Sequence, residues 1–382
     1  MTASKELLVL VGSFYPDQTG GPANTVYWMA KNLAGRGVRT TVVTSDRGLT
    51  PEFVRDTWTD TAFGRVIYLT TPNIYLPWRV IGTAIRQLRH FQTVYFTSVF
   101  YTLSLVLVPL AVLSGKKVVW SPCGELLSPA LAYGKYRKKA VLRLVRLLAR
   151  RVVFHATSDA ELEAIRQVMG PKVRVVKLPW TMELPEQEPR MPEKYLLFVG
   201  RIHPIKGLEN LLQALASSAV FRASDHYLKI VGDAGNEYGK TLASLAGDLG
   251  LQEKVQFTGR LEGVAKNRAF ANARCTILPS FSENFGAVVV ESLAQSTPVI
   301  ASTGTPWELL ETYGAGIRTG NDPESLGAAI DRFMLMPEDT YENCRRNAYR
   351  LVCERFGSGR NAADYENMLL GKIAPTGSAY EQ

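Results

Sequence analysis

Pro279-Ser-Phe-Ser-Glu-Asn-Phe-Gly-Ala-Val-Val-Val-Glu-Ser-Leu-Ala-Gln-Ser-Thr-Pro-Val-Ile-Ala301 decides how this chain is read. Thr276 to Leu278, just before it, ends a buried strand. Ser280 to Asn284 is a polar loop, Gly286 to Gln295 a helix, and Pro298 to Ala301 the next strand. A strand, a tight polar loop and a helix start form an anion site, because unpaired N–H groups and the helix dipole converge there. A plain phosphate loop would avoid carboxylates. Yet Glu283 stands on the loop and Glu291 about one turn into the helix, where both can face one crevice. A ligand with phosphates and many hydroxyls would use both features, since carboxylates accept hydrogen bonds from sugar OH groups.

Glu-x7-Glu in the setting Ser282-Glu-Asn-Phe-Gly286 resembles the retaining GT-B glycosyltransferases, and among them the large family 4. The resemblance implies an α/β architecture, the GT-B fold, with two Rossmann-like domains facing across a cleft. It implies that Glu283 touches the donor sugar and that Glu291 holds the ribose of a nucleotide sugar. Asn284, Phe285, Gly286 and Ala287 would line the donor site, with the 285–287 amides at the helix start. The plainer alternative is an ordinary helix start with a glutamate after its cap, and the rest of the chain weighs against it.

A length of 382 residues is enough for two domains, and the 46% apolar and 21% charged content is that of a globular chain. The net charge of +9 favours anionic partners: nucleotide sugars, acidic lipids or nucleic acid. Cys123, Cys275, Cys344 and Cys353 form no CxxC pair and no metal spacing, so they are expected as reduced thiols of a cytoplasmic protein. Lys5 and Glu6 are followed by only a short apolar strand, and no secretory signal is read there. Val94 to Ser114 carries no charge over about the length of a membrane span. Thr97, Ser98, Thr102, Ser104 and Pro109 interrupt it, and it parses better as strand (Val94–Phe96), helix (Tyr101–Leu113) and next strand (Val118–Trp120).

From the N-terminus, Leu7 to Gly12 is a continuous apolar run of the kind a central parallel strand requires. It empties into Ser13-Phe-Tyr-Pro-Asp-Gln-Thr-Gly-Gly-Pro-Ala-Asn24, with a helix from about Thr25. Gly20 and Gly21 permit close approach of backbone to a ligand. This is not GxGxxG, so a dinucleotide site is not supported. The stretch resembles the family's N-terminal Gly-Gly loop, which implies donor contacts at Gly20 and Gly21 and acceptor-side positions at Tyr15 and Asn24. Strands near Thr40–Thr44 and Val66–Thr70, with helices between, continue a Rossmann-like pattern to Lys177. Ser121-Pro-Cys-Gly-Glu-Leu-Leu-Ser-Pro129 follows a strand, at the edge where such sheets bind ligands. By the same resemblance Cys123 and Glu125 are acceptor-side candidates, although Cys123 stands where relatives often carry Arg or His. No histidine lies near Cys123 in sequence, and a nucleophilic role is not assigned to it.

Lys135 to Arg151 holds eight Lys/Arg and no acid. Helical spacing puts Val141, Leu144, Val145 and Leu148 on one face and Arg143, Arg146 and Arg150 on another. Such a helix lies either on an anionic membrane surface or on a domain surface with a solvated basic face. Thr157-Ser-Asp-Ala-Glu-Leu-Glu caps the helix after the strand Val152–Ala156. Pro179-Trp-Thr-Met182 replaces the Pro-Asn-Gly of relatives, and 183–194, rich in Pro and Glu, reads as a linker.

Tyr195 opens a second Rossmann-like half, followed by Gly200-Arg-Ile-His-Pro-Ile-Lys-Gly207. Two cations at a helix start, Arg201 and Lys206, suit a diphosphate: they hold it and stabilise its charge as it leaves. The motif resembles the family's Gly-Arg…Lys-Gly almost residue for residue. Arg260 and Leu261 follow a further strand, where relatives place the nucleobase. Thr303 to Leu309 belongs to the same wall, and His203 reads as structural.

These readings divide the chain into an acceptor-binding domain (1–180), a linker (181–194), a nucleotide-sugar-binding domain (195–356) and a C-terminal segment (357–382) that packs back on the first domain. The expected activity is a retaining, metal-independent hexosyl transfer. The sugar passes from a nucleotide diphosphate-sugar to a glycan or lipid-linked saccharide, in cell-surface polysaccharide or glycolipid synthesis. Arg201, Lys206 and Glu283 are the catalytic set. No Asp-x-Asp occurs, no cofactor beyond the donor is expected, and no nucleic-acid partner. Localisation would be cytoplasmic, peripheral on the membrane if 135–151 docks there. Two other readings stay open: a nucleotide-sugar epimerase or hydrolase, disfavoured by only four histidines, and a non-catalytic basic protein binding nucleic acid or membrane.

Overall fold

The computed structural model describes residues 5–16, 21–73, 75–128, 131, 135–357, 359 and 361–371. They form two compact units, Met1–Glu183 with Ser358–Gln382, and Leu184–Gly357.

The first unit runs β1 (Glu6–Leu10), α1 (Gly21–Ala34), β2 (Arg39–Ser45), β3 (Trp58–Thr61), β4 (Gly64–Leu69), α2 (Trp78–Leu88), β5 (Thr93–Thr97), α3 (Thr102–Leu113), β6 (Lys117–Ser121), α4 (Lys135–Leu148), β7 (Val153–Ala156), α5 (Asp159–Met169) and β8 (Arg174–Lys177). Its sheet has the order β3-β4-β2-β1-β5-β6-β7-β8, parallel except for β3 against β4. Helices on both faces bury the central strands, which is why β1 and β5 are continuous runs rather than alternating ones. Each such Leu, Val or Phe removed from water contributes roughly 1.5–3 kcal/mol. The uncharged stretch 94–114 is the strand–helix unit β5–α3 leading toward β6. No helix among the described residues is long and apolar enough to cross a membrane.

Three local expectations change. Between β2 and β4 the sequence was read as helical, but the chain forms β3, paired antiparallel on the sheet edge. Trp58, Thr59 and Thr61 favour a pleated strand, and Gly64, at φ 136, lets β4 press on Thr40, whose carbonyl oxygen would lie 2.2 Å from a Cβ. Helix α1 begins at Gly21, earlier than the Thr25 expected. In α4 and the 3-10 turn that follows it (Ala149–Arg151), Leu142, Val145 and Ala149 turn into the core beside Phe154 and Ile165, while Leu144 and Leu147 are exposed, so the buried stripe is rotated from the one the spacing implied.

The second unit runs β9 (Tyr195–Val199), α6 (Leu208–Ser217), α7 (Ala219–Ala223), β10 (Tyr227–Val231), α8 (Glu237–Asp248), β11 (Val255–Gly259), α9 (Gly263–Asn272), β12 (Cys275–Leu278), α10 (Ala287–Ala294), β13 (Val299–Ser302), α11 (Leu309–Tyr313), β14 (Gly316–Thr319), α12 (Pro323–Met334) and α13 (Glu338–Phe356). Its all-parallel sheet has the order β11-β10-β9-β12-β13-β14. The last helix, α14 (Ala362–Leu370), belongs to the first unit. It packs on α1, and Glu366 receives Lys5 at 2.7 Å and Arg36 at 2.6 Å.

Strand order reverses beside the first strand of each sheet, between β1 and β5 and between β9 and β12. Loops leaving the carboxyl ends of two such strands diverge to opposite faces and open a crevice between them. In the second unit those loops carry Arg201, Lys206, Glu283, Asn284, Phe285 and Gly286.

Candidate active site

In the second unit, β9 feeds Gly200 to Gly207 and β12 feeds Pro279 to Gly286, so both loops stand at the switch point. Pro204–Lys206 is a single 3-10 turn, capped by His203, whose Nδ1 accepts from the Ile205 N–H at 3.2 Å. Gly207 ends the turn at φ 66, and a Cβ there would lie 2.3 Å from the Pro279 carbonyl oxygen. Glycine is what lets the loops touch, and the Phe281 N–H then donates to the Ile205 carbonyl at 2.9 Å. The Glu283 N–H donates to the Gly304 carbonyl at 3.0 Å, and the Trp307 indole N–H to the Phe285 carbonyl at 2.6 Å. The wall read from Thr303 to Leu309 thus fixes the loop that carries Glu283. Gly286 enters α10 at φ 72, and no side chain caps that helix start. Its first N–H groups remain available to an anion.

Lys206 Nζ forms an ion pair with Glu283 Oε1, an oxygen that also accepts from Ser280 Oγ at 2.8 Å. Both side chains are largely buried, 15% and 13% exposed. A lysine has three donors, so this pairing leaves others for a ligand oxygen. Arg201 is exposed and has no carboxylate partner among the described residues. Burial, then the charges of Arg201 and Lys206, hold His203 below the ordinary imidazole range. His203 thus has the structural role expected of it, as the cap of the turn.

Glu291 lies on α10 and pairs with Lys266 of α9 at 2.7 Å, both side chains about one-fifth exposed. Sequence reading missed Lys266. Leu261 and Val288 pack on one small cluster around Phe270, which ties the turn after β11 to α10. Arg260 is exposed, 4.0 Å from Glu262. The structure therefore gathers Arg201, Lys206, Glu283 and the α10 start at one switch point, sets the Glu291–Lys266 pair further along α10, and leaves Arg260 at an exposed margin.

In the first unit, Gly20 lies outside the described residues, and Gly21 is the first residue of α1. Tyr15 is partly exposed and stacks on Tyr27, ring centroids 4.3 Å apart. Asn24 stands in the first turn of α1, its Oδ1 buried and without a hydrogen bond among the described residues. Cys123 follows β6 at φ 54, its thiol turned to Ser121 at 3.5–3.6 Å. Burial, then the Glu161 carboxylate, pushes that thiol up to about 12. Glu125 accepts from Ser98 Oγ and the Val99 N–H at 2.6 Å and from the Phe100 N–H at 3.2 Å. Glu161 accepts from the Gly124 N–H at 2.7 Å and from the Thr157 N–H and Oγ1 at 2.8 Å. Burial raises both carboxyls above the usual carboxylate range. They bind the loops after β5, β6 and β7 together.

The family model described as Glycosyl transferases group 1 matches residues 182–351, and that of Glycosyltransferase Family 4 matches 19–179. A curated relative, the D-inositol 3-phosphate glycosyltransferase of Mycobacterium marinum, is 34% identical over 146 residues, covering 37% of this chain and 30% of that protein. The matches take in less than half the length of the curated relatives first found. Among solved structures, sucrose-phosphate synthase of Thermosynechococcus elongatus has a TM-score of 0.76 at 18% identity, covering 94% of this chain and 97% of that one. HepE of Anabaena, solved with UDP and glucose, has a TM-score of 0.70 at 20% identity, covering 95% and 100%. These neighbours share the fold, which is GT-B. The chain belongs to glycosyltransferase family 4.

Proposed function

We propose that this chain transfers a sugar from a nucleoside diphosphate-sugar to a hydroxyl of a glycan or lipid-linked saccharide, with retention and without a metal ion, in cell-surface polysaccharide or glycolipid synthesis. One observation carries the reading: the Lys206–Glu283 pair stands beside the uncapped start of α10, with Arg201 on the adjoining loop. Arg201, Lys206 and the α10 amides supply the positive field that a diphosphate needs. As the bond from the anomeric carbon to the phosphate oxygen breaks, its electron pair goes to that oxygen, where these groups stabilise it. The acceptor oxygen bonds the anomeric carbon on the same face, and its proton passes to the leaving phosphate. Glu283 orients the sugar and opposes the positive charge that develops on it. Glu291, steadied by Lys266, accepts from the ribose hydroxyls. That HepE was solved with UDP and glucose supports a nucleotide-sugar donor.

The test is thermal unfolding with UDP, GDP, ADP and their sugars, followed by product analysis with saccharide acceptors. A ligand at a hundredfold its Kd raises stability by about 2.7 kcal/mol. One nucleotide should stabilise the protein and its sugar should reach an acceptor with unchanged anomeric configuration. Stabilisation by none would overturn the reading. Donor turnover with no acceptor present would favour a hydrolase or epimerase.

A further inference from the structure

Three neighbouring helices of the first unit contain no acidic residue: α2, α3 and α4. α3 has no charge at all, and α4 has six Lys/Arg in 14 residues. Right-handed crossovers from β4 through β7 lay them side by side on one face of the sheet, with α3 between the other two. Their inner sides fill the core. Their outer sides expose Trp78, Ile85, Leu110, Leu113, Leu144 and Leu147, of which Leu113 and Leu147 are 74% and 76% exposed. Single exposed apolar residues are ordinary, but six on one acid-free layer are not.

The cations between them are uncompensated. Lys139, Arg143, Arg146 and Arg150 are exposed and, among the described residues, have no carboxylate partner. Arg146 Nε donates to the Val168 carbonyl, which orients the guanidinium but leaves its charge. Arg79, on α2, is the exception and pairs with Asp56 at 3.1 Å. The next helix, α5, has acids in its first turn, Asp159 and Glu161.

We propose that the outer face of α2, α3 and α4 docks on an anionic lipid bilayer, with Leu144 and Leu147 entering the headgroup region while Lys139, Arg143, Arg146 and Arg150 meet lipid phosphates. Charge complementarity selects an acidic surface, and the leucines among the cations select a bilayer. A nucleic acid would engage the cations and leave Leu113, Leu144 and Leu147 with nothing to bury. The inference goes beyond the proposed reaction and does not depend on it.

Cosedimentation of the full chain with vesicles of phosphatidylcholine, alone or mixed with phosphatidylglycerol, tests it at low and high salt. The chain should bind the mixed vesicles, bind neutral ones far less, and lose affinity with salt. Arg143→Glu with Arg150→Glu should lower partitioning at least tenfold, given about fivefold per cation lost at the surface. Leu144→Ser with Leu147→Ser should also lower it at least tenfold while keeping every charge. Unchanged unfolding temperatures show that the variants fold. Equal binding to both vesicle types, or to neither, overturns the proposal. So does a leucine variant that binds mixed vesicles normally, and if that variant and the wild type also bind single-stranded RNA equally, the face belongs to nucleic acid.

Discussion

The two units use the acids of their loops in opposite ways. Beside β9 and β12, Glu283 and Glu291 each face an ammonium group, Lys206 and Lys266. Among the loops after β5, β6 and β7 of the first unit, Glu125 and Glu161 face backbone N–H groups and hydroxyls. A lysine on a flexible stem can give up part of its pairing to an incoming phosphate or hydroxyl. A buried carboxylate holding three donors cannot do so without releasing the loops it joins. The second unit is therefore built to exchange charge partners with a ligand, and the first unit uses charge to hold its loop shapes.

The largest expected effect lies in the exchangeable region. Lys206→Ala should lower turnover by about two to three orders of magnitude, the scale of losing one transition-state donor. Arg201→Ala should cost about two orders by the same reasoning, and less than Lys206→Ala, because Arg201 holds no buried carboxylate in place. Steady-state kinetics beside calorimetric titration with the nucleoside diphosphate reads both. Near-normal turnover in a folded Lys206→Ala protein would remove the paired-charge region from the reaction.

The next effect lies in the fixed region and appears in stability. Glu161→Ala leaves the Gly124 N–H and both Thr157 donors without their acceptor, and should cost about 2–3 kcal/mol. Nucleotide affinity of the folded variant should not move. The pH dependence has a definite sign. Burial raises the Glu161 carboxyl above its ordinary 4.5, so its contribution is complete below 4.5 and declines as pH rises through the raised folded value. Glu161→Gln lacks that decline, and its deficit against the wild type should shrink as pH rises from 4.5. A deficit that grows with pH would mean that the carboxylate is stabilised in place.

What the sequence disclosed follows the same division. Lys206, Glu283 and the α10 start were legible because each sits on a loop between a strand end and a helix start, where local pattern fixes geometry, and Glu291 through its Glu-x7-Glu spacing from Glu283. Lys266 was not, since it reaches Glu291 from another helix and nothing local marks it. Trp307 was placed on the right wall, but its indole donating to Phe285 depends on how β13 and β12 pair. Glu161 looked like a residue of a capped helix start, and Ser158 does cap that helix, accepting from the Glu161 N–H at 3.2 Å. The bond from Gly124 to its carboxylate, 37 residues away, belongs to tertiary structure. The edge strand β3 was missed because its four residues have their partner in β4, and an isolated short strand has weak local preference.

Within the exchangeable region the two glutamates should separate. Glu283→Gln should lower kcat and keep nucleoside diphosphate binding, because that ligand has no sugar to miss. Glu291→Gln should weaken nucleotide and nucleotide-sugar alike by about 1–3 kcal/mol, the range for a charge-assisted hydrogen bond. Lys266→Met should act in the same direction by about 1 kcal/mol, as it frees the Glu291 carboxylate from its partner. Titration of all three variants decides this. Loss of diphosphate affinity in Glu283→Gln as severe as in Glu291→Gln would merge the two roles, and no change in any variant would return the pattern to an ordinary helix start.

The smallest expected effect is at Cys123, and it tests the fixed region where sequence left most room for chemistry. The thiol follows a strand, at the edge where such sheets bind ligands, and position alone suggests a role toward the acceptor. Its surroundings argue otherwise. With its ionisation pushed up to about 12, the group stays a thiol at neutral pH, and a thiol is a poor nucleophile and no cation. It points at Ser121, and a serine at 123 can donate the same hydrogen bond. Cys123→Ser should therefore leave kcat within about twofold, well under one factor of ten and so under 1.4 kcal/mol of barrier. Iodoacetamide should label the exposed Cys353 rapidly in the folded protein and the half-buried Cys123, held as a thiol, far more slowly. A Cys123→Ser enzyme that folds, binds nucleotide normally and still loses tenfold or more in kcat would show that this loop does more than keep its shape, and that the first unit, too, exchanges partners with a ligand.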